Sequence, residues 1–150
     1  MSNGGTVRVI VVGDDDSAGG AKAIAFTAGL AAGLGAEVVL VRAYSPLDEL
    51  KNAAPPVDFK KLEQATHDRL ENERAAPIRE AGAAYQVMLV EDPDAIGVLA
   101  RAATECEADL VVVGSHGQTG WRSRILGNVA TKLPHALSCP ITIVPAPKPG

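Results

Sequence analysis

LVVVGSHGQTGWRSRILGN, Leu110 to Asn128, runs four apolar residues straight into a segment with glycine at positions 114, 117, 120 and 127. Leu110 to Val113 has the composition of a strand buried on both faces. Glycine weakens regular elements, because an unfolded glycine has the most backbone freedom to lose. Four of them in fourteen positions right after a strand imply a backbone that turns tightly or approaches something closely. N–H groups with no side chain in the way make an anion cradle, most effectively beside a helix N-terminus. The stretch therefore reads either as a phosphate-binding loop or as a surface loop whose glycines only turn the chain.

Working outward, the segment before it predicts a strand over Ala84 to Val90, then a helix opened by Asp92 as N-cap and Pro93 in its first turn. That helix carries Ile96, Leu99 and Ala103 on one face and ends near Cys106; Asp109 to Val113 is the next strand. After the glycine segment, Val129 to Ser138 predicts a helix made irregular by Pro134, and Pro140 precedes a last strand, Ile141 to Val144. The proline-rich tail from Pro145 cannot continue a sheet. Towards the N-terminus, Thr6 to Val12 and Glu37 to Ala43 are two more apolar strands. Between them lies the acidic turn Gly13-Asp14-Asp15-Asp16-Ser17, rich in N-cap residues, and a helix from Ala18 to Gly35 weakened by Gly29 and Gly33. Tyr44 to Val57, with three prolines, reads as a loop. Asp58 then caps a long charged helix that Pro77 kinks or interrupts and Gly82 stops.

The resulting alternation, β-α-β-α-β-α-β-α-β, predicts one α/β domain: a five-stranded parallel sheet with helices on both faces and right-handed crossovers, Rossmann-like. In such sheets ligands bind beyond the carboxyl ends of the strands, where the strand order reverses. Three segments are expected to converge there: 13–17, 43–45 and the loop from Gly114.

Composition narrows the partners. The 150 residues suit one domain, and 47% hydrophobic content can bury a core, built from Ala, Val, Leu and Ile because aromatics are only 3%. A net charge of −4 offers no basic face for nucleic acid. No apolar run reaches the roughly 18–20 residues that span a bilayer, and MSNGGT at the start lacks the pattern of a secretory signal. Cys106 and Cys139 have no CxxC spacing and read as buried free thiols. A cytoplasmic protein without membrane contact is the expectation.

Several chemistries fit parts of the pattern. Asp14-x-Asp16 resembles the first motif of haloacid-dehalogenase-type phosphatases, which would make a Mg²⁺-dependent phosphatase using Asp14 and Asp16 an alternative. Such enzymes also need acids after the fourth strand, where this chain has Gly114-Ser115-His116-Gly117. A receiver domain would need a phospho-accepting Asp after the third strand and a later lysine; Asp92 reads as a cap and Lys148 lies in the tail. The acids also read simply as helix caps that favour the helix dipole. The glycine loop is not a Walker A motif, since no lysine occurs between Lys61 and Lys132, and no GxSxG elbow is present. His67, His116 and His135 match no metal-ligand spacing. His116 reads equally as a ligand donor or as a brace for the loop backbone. Trp121 reads as a packing lid more than a stacking platform, and Arg122 and Arg124 as phosphate neighbours or solvated side chains.

Gly114, two residues, Gly117, nine residues, Gly127 is the spacing of the nucleotide motif of the universal stress protein family, which this chain resembles over essentially its whole length. Cys139-Pro140 before the final strand and Val12-Gly13-Asp14-Asp15-Asp16-Ser17 after the first also resemble the family. The resemblance implies a fold like that of the adenine nucleotide alpha hydrolases and binding of ATP or AMP, with cyclic AMP a further candidate and Mg²⁺ held through the phosphates. It implies that Gly13 and Asp15 line the adenosine, the Asp15 carboxylate accepting from ribose hydroxyls. Ala43 lies against adenine, Val113 and Gly114 near base and ribose, and Gly117, Gly127, Asn128 and Val129 donate backbone N–H groups to phosphates. Asp14, His116 and Arg124 complete the expected set.

Two positions depart from the family pattern. Asn128 replaces the Ser or Thr that follows the last glycine, though Asn is itself a good N-cap. Glu91 replaces a frequent glycine and, with Asp14 and Asp16, adds negative charge at the strand ends, which is expected to disfavour a bare triphosphate, require Mg²⁺, or favour AMP or a cyclic nucleotide. The resemblance implies a homodimer paired through Ile141 to Val144, whose open edge is otherwise an aggregation risk. A sensor or regulator is expected, with at most slow ATP hydrolysis or autophosphorylation; a nucleotide-independent dimeric interaction protein is the alternative.

Overall fold

The computed structural model describes residues 5–49, 56–116 and 126–146. Five parallel strands, β1 (Val9–Gly13), β2 (Glu37–Tyr44), β3 (Tyr85–Glu91), β4 (Leu110–Gly114) and β5 (Ile141–Val144), form one sheet in the order β3-β2-β1-β4-β5. β1 is the middle strand: Val12 pairs with Leu40 on one side and with Val112 on the other. Chain order therefore reverses between β1 and β4, which fixes where a crevice opens.

The strands are apolar on both faces because both faces are covered. Ile10, Val12, Val38, Leu40 and Val112 share one core with Ala23, Ile24, Ala28 and Ala31 of α1 (Ala18–Leu34). Val11, Val39, Val41, Val111 and Val113 share the other with Val98, Leu99, Ala102 and Ala103 of α5 (Ala95–Glu105) and with Leu133. The period-2 alternation of side chains along a strand sorts these neighbours into two layers. Small alanines let α1 lie close to the sheet, and its buried Thr27 satisfies its hydroxyl on the carbonyl of Ala23 at 2.9 Å. Gly35 ends the helix in the left-handed conformation, φ 67°.

The second connection departs most from its expected form. A short helix, α2 (Pro46–Glu49), opens it. Asp58 caps α3 (Phe59–Arg69) as expected, accepting from the N–H groups of Lys60 and Lys61. The helix then widens into a π-helical turn, Leu70–Arg74, before restarting as α4 (Ala76–Glu80). Pro77 sits in the first turn of α4, where its missing N–H costs nothing, so the proline marks a restart and the irregularity falls in the turn before it. Gly82, at φ 79°, follows the end of α4.

Two caps differ from expectation. Asp94, not Asp92, caps α5, accepting from Gly97 N–H at 3.0 Å. Asp92 instead accepts from the Asp94 N–H at 2.8 Å, closing a turn that sets up the true cap. The α1 cap is Ser17, whose hydroxyl accepts from Gly20 N–H at 3.0 Å; none of the three aspartates before it takes that place. The last helix is α6 (Asn128–Lys132), which tightens into a 3₁₀ turn, Leu133–His135, at Pro134. Cys106 and Cys139 are free and only half-buried, and burial pushes both thiols up.

Candidate functional site

A cavity of about 250 Å³ lies beyond the carboxyl ends of β1 and β4, at the reversal point. Its floor is apolar: Val41 and Ala43 from β2, Val113 from β4, Ala95 and Leu99 from α5. Gly13 forms the end of β1, and a Cβ there would lie 3.1 Å from both Leu99 methyls, so a larger residue would press on the Leu99 side chain of α5. Gly114 ends β4 against Gly19, where a Cβ would meet the Gly19 carbonyl at 3.0 Å.

The β1–α1 turn supplies the polar wall. Asp14 continues the sheet, its N–H bonding the Val41 carbonyl at 2.9 Å. Its carboxylate is fully buried and gripped by Arg74, Nε to Oδ2 at 3.0 Å and a terminal nitrogen to Oδ1 at 2.7 Å. The hydrogen bond to Asp14 holds the Arg74 guanidinium above the usual arginine value, against the effect of burial. Asp15 lines the cavity, and its Oδ1 accepts from both the N–H and the hydroxyl of Ser17. Asp16 adopts φ 64° and lies 2.8 Å from Arg69, 3.6 Å from Arg74 and 3.9 Å from Arg42.

This corrects the expectation of surplus negative charge at the strand ends. Asp14 and Asp16 are met by three arginines, and Glu91 is not among the lining residues. Asp14 is on the pocket wall, but with both carboxylate oxygens on Arg74 it does not present a nucleophile, which counts against the phosphatase alternative.

The third wall is the start and end of the glycine stretch. Ser115 is buried; its N–H bonds Val144 O at 2.8 Å and its hydroxyl accepts from Ala146 N–H at 2.9 Å. Gly127 N–H bonds the Ser115 carbonyl at 2.7 Å, which brings the two ends of the stretch together. His116 lines the cavity with Nδ1 2.9 Å from the Ser115 hydroxyl and a buried Nε2 that has no hydrogen-bond partner among the described residues. Gly127, Asn128, Val129 and Ala130 line the opposite side. Gly127, not Asn128, is the N-cap of α6; Asn128 is its first residue, and no side chain caps the turn. The first intrahelical bond is Thr131 N–H to Gly127 O at 3.0 Å, so the N–H groups of the three residues between precede the ladder.

Of the expected site residues, Gly13, Asp14, Asp15, Ala43, Val113, Gly114, His116, Gly127, Asn128 and Val129 all line this one cavity. Gly117 and Arg124, together with Gly120, Trp121 and Arg122, lie outside the described residues. Val41, Ala95 and Leu99 were not anticipated: Val41 of β2 and the apolar face of α5 read in the sequence only as packing. Arg74 was not anticipated either, because nothing local marks one arginine in a charged helix as the partner of an aspartate sixty residues earlier. No group of three or more His, Cys, Asp or Glu among the described residues is arranged to hold a metal ion. No helix among them is long and apolar enough to cross a membrane.

Fold and site together define an α/β domain whose glycine-lined crevice opens at the reversal of a five-stranded parallel sheet. The model of the universal stress protein family matches residues 6–145, and the chain belongs to that family. Comparison with curated proteins gives no match. Among solved structures, a universal stress protein family member from Burkholderia pseudomallei is 27% identical, with a TM-score of 0.69 over 96% of this chain and 100% of that one. A universal stress protein in complex with cAMP is 22% identical, with a TM-score of 0.70 over 95% of this chain and 99% of that one. A family protein from Arabidopsis thaliana with AMP bound is 17% identical, with a TM-score of 0.69 over 94% of this chain and 93% of that one.

Proposed function

We propose that this chain binds an adenine nucleotide, AMP, ATP or cyclic AMP, in the crevice between β1 and β4, and acts as a sensor or regulator in a stress response more than as an enzyme. The observation that carries the reading is the convergence of an apolar floor, a carboxylate at Asp15 and the uncapped first turn of α6 on one cavity. The base lies on Ala43, Val41 and Leu99. The Asp15 carboxylate, acceptor-only when ionised, takes the ribose hydroxyls. Phosphate oxygens meet N–H groups at the start of α6, where Asn128 contributes its backbone and its side chain is not needed as a cap. His116 Nε2, buried beside the cavity, adds a donor or acceptor to the bound nucleotide. Relatives in complex with cAMP and with AMP bound support this class of ligand. Mg²⁺ enters with the phosphates, not through a carboxylate cluster. We also infer a homodimer paired along β5, the strand at one edge of the sheet.

Calorimetry with ATP, AMP and cyclic AMP, each with and without Mg²⁺, tests the reading. Saturable binding of at least one nucleotide at micromolar to low millimolar concentration is expected. No heat from any of them at several millimolar would overturn it.

A further inference from the structure

Arg74 reaches the β1–α1 turn from the far side of the chain and touches it at two places. Its fork spans both oxygens of the Asp14 carboxylate, at 3.0 and 2.7 Å, and the same terminal nitrogen donates to the Ser17 carbonyl at 2.8 Å. Asp14 and Ser17 stand on either side of Asp15 in the chain, so one planar group clamps the turn before and after the residue that faces the cavity. The clamp is buried, with the Asp14 side chain fully covered and Arg74 13% exposed. Asp14 in turn accepts from the Asp16 N–H at 3.2 Å, and Ser17, held through its carbonyl, donates both its N–H and its hydroxyl to Asp15. Space for the fork comes from Gly20, where a Cβ would stand 2.5 Å from Asp14 Oδ1 and 3.3 Å from the Arg74 guanidinium.

We propose that Arg74 is a positioning residue for sugar recognition: by clamping the β1–α1 turn on both sides of Asp15, it holds that carboxylate where the ribose hydroxyls of a bound adenine nucleotide reach it. This rests on the nucleotide reading above and adds a residue that makes no contact with the ligand. A lysine keeps the charge, but its three donors radiate from one nitrogen and cannot reproduce the planar fork that spans two carboxylate oxygens and a carbonyl. The turn then loses its set geometry while Asp14 keeps a counter-charge.

The test compares AMP with 2′,3′-dideoxy-AMP, which lacks both hydroxyls, by calorimetry on the wild type, Asp15→Ala and Arg74→Lys, with thermal melts to establish folding. The wild type is expected to prefer AMP by roughly tenfold or more, the factor carried by hydrogen bonds to a charged acceptor. Asp15→Ala loses that preference. Arg74→Lys is expected to lose most of it while binding dideoxy-AMP within about threefold of the wild type. A preference that survives Arg74→Lys, or equal weakening of both nucleotides, overturns the inference alone. Should Arg74→Lys fail to fold, Asp14→Asn, which keeps the shape and weakens the fork, is expected to narrow the preference, and an unchanged preference there overturns the proposal. Equal affinity of the wild type for the two nucleotides overturns it as well. Failure of the wild type to bind either one overturns the nucleotide reading and this inference with it.

Discussion

Asp109 shows how one carboxylate can tie two strands together. It precedes β4, yet its Oδ2 accepts from the backbone N–H groups of Arg8 and Val9 at 2.9 and 3.1 Å, at the start of β1. Those two bonds favour the ionised form and hold the carboxyl below the usual value of 3.8. The folded state therefore binds the proton less readily than the unfolded chain. The stabilisation is fully present above pH 3.8 and is lost as pH falls through the lower, folded value. Asp109→Asn keeps an acceptor but removes the charge. It is expected to melt at a lower temperature than the wild type at pH 7, with the gap narrowing as pH drops below 3.8. Melting curves over pH 2 to 7 check this, and a gap that stays constant would show that the charge contributes nothing.

At the scale of the element, α1 illustrates a helix whose stability comes from one face only. Ala23, Ile24, Ala28 and Ala31 are buried against the sheet, while Gly29 and Gly33 point into open space with nothing within 4 Å of a Cβ. A methyl added there meets no neighbour and reduces the freedom of the unfolded chain. Gly29→Ala is expected to stabilise the protein by about 0.5–1 kcal/mol, measured as a rise in denaturant midpoint at unchanged slope, with nucleotide affinity unaltered. The contrasting glycines are Gly114, where a Cβ would meet the Gly19 backbone, and Gly19, where one would meet the His116 carbonyl; neither leaves room for such a gain.

Among the described residues, the sheet leaves β5 with one paired side. Pro140 and Val144 direct their carbonyls to Val111 and Ser115 of the β4 segment, so the alternate residues Ile141 and Ile143 direct their backbone groups to the open edge. Ile143→Pro removes an outward N–H without adding charge to the core, a change that edge strands tolerate. If the edge is the dimer contact, sedimentation is expected to show the wild type as a dimer and this variant as a monomer that still unfolds cooperatively, at a lower temperature because Ile143 packs against the core. A variant that remains dimeric would place the contact elsewhere.

Much of this architecture is legible in the sequence because parallel strands covered on both faces must be apolar throughout. Ile141 to Val144 matches its strand residue for residue, and the other four strands lie within a few residues of their apolar runs. The crevice is legible too, since the alternation of strands and helices fixes where loops converge, and Gly13, Ala43 and Gly114 all face it. What is not legible depends on choices between chemically equal neighbours or on distant partners. Asp92 and Asp94 are equally good caps as residues, and only the turn decides between them. Asp14, Asp15 and Asp16 look interchangeable in the sequence. The fold gives Asp14 to Arg74 and Asp16 to Arg69, and turns Asp15 to the cavity, an assignment made by side chains more than fifty positions away.

The π-helical turn at Leu70–Arg74 sets the phase of that assignment. Ala75 N–H bonds the carbonyl of Leu70, five residues back, so each residue in the turn advances less far around the axis than in an α-helix. Arg69 and Arg74, five apart, thereby come round to the same side and reach Asp16 and Asp14 together. In regular α-helix the same spacing would send them to different sides of the axis. The wide turn works as a one-residue offset, aligning two guanidinium groups that a more regular and intrinsically steadier helix would leave out of step.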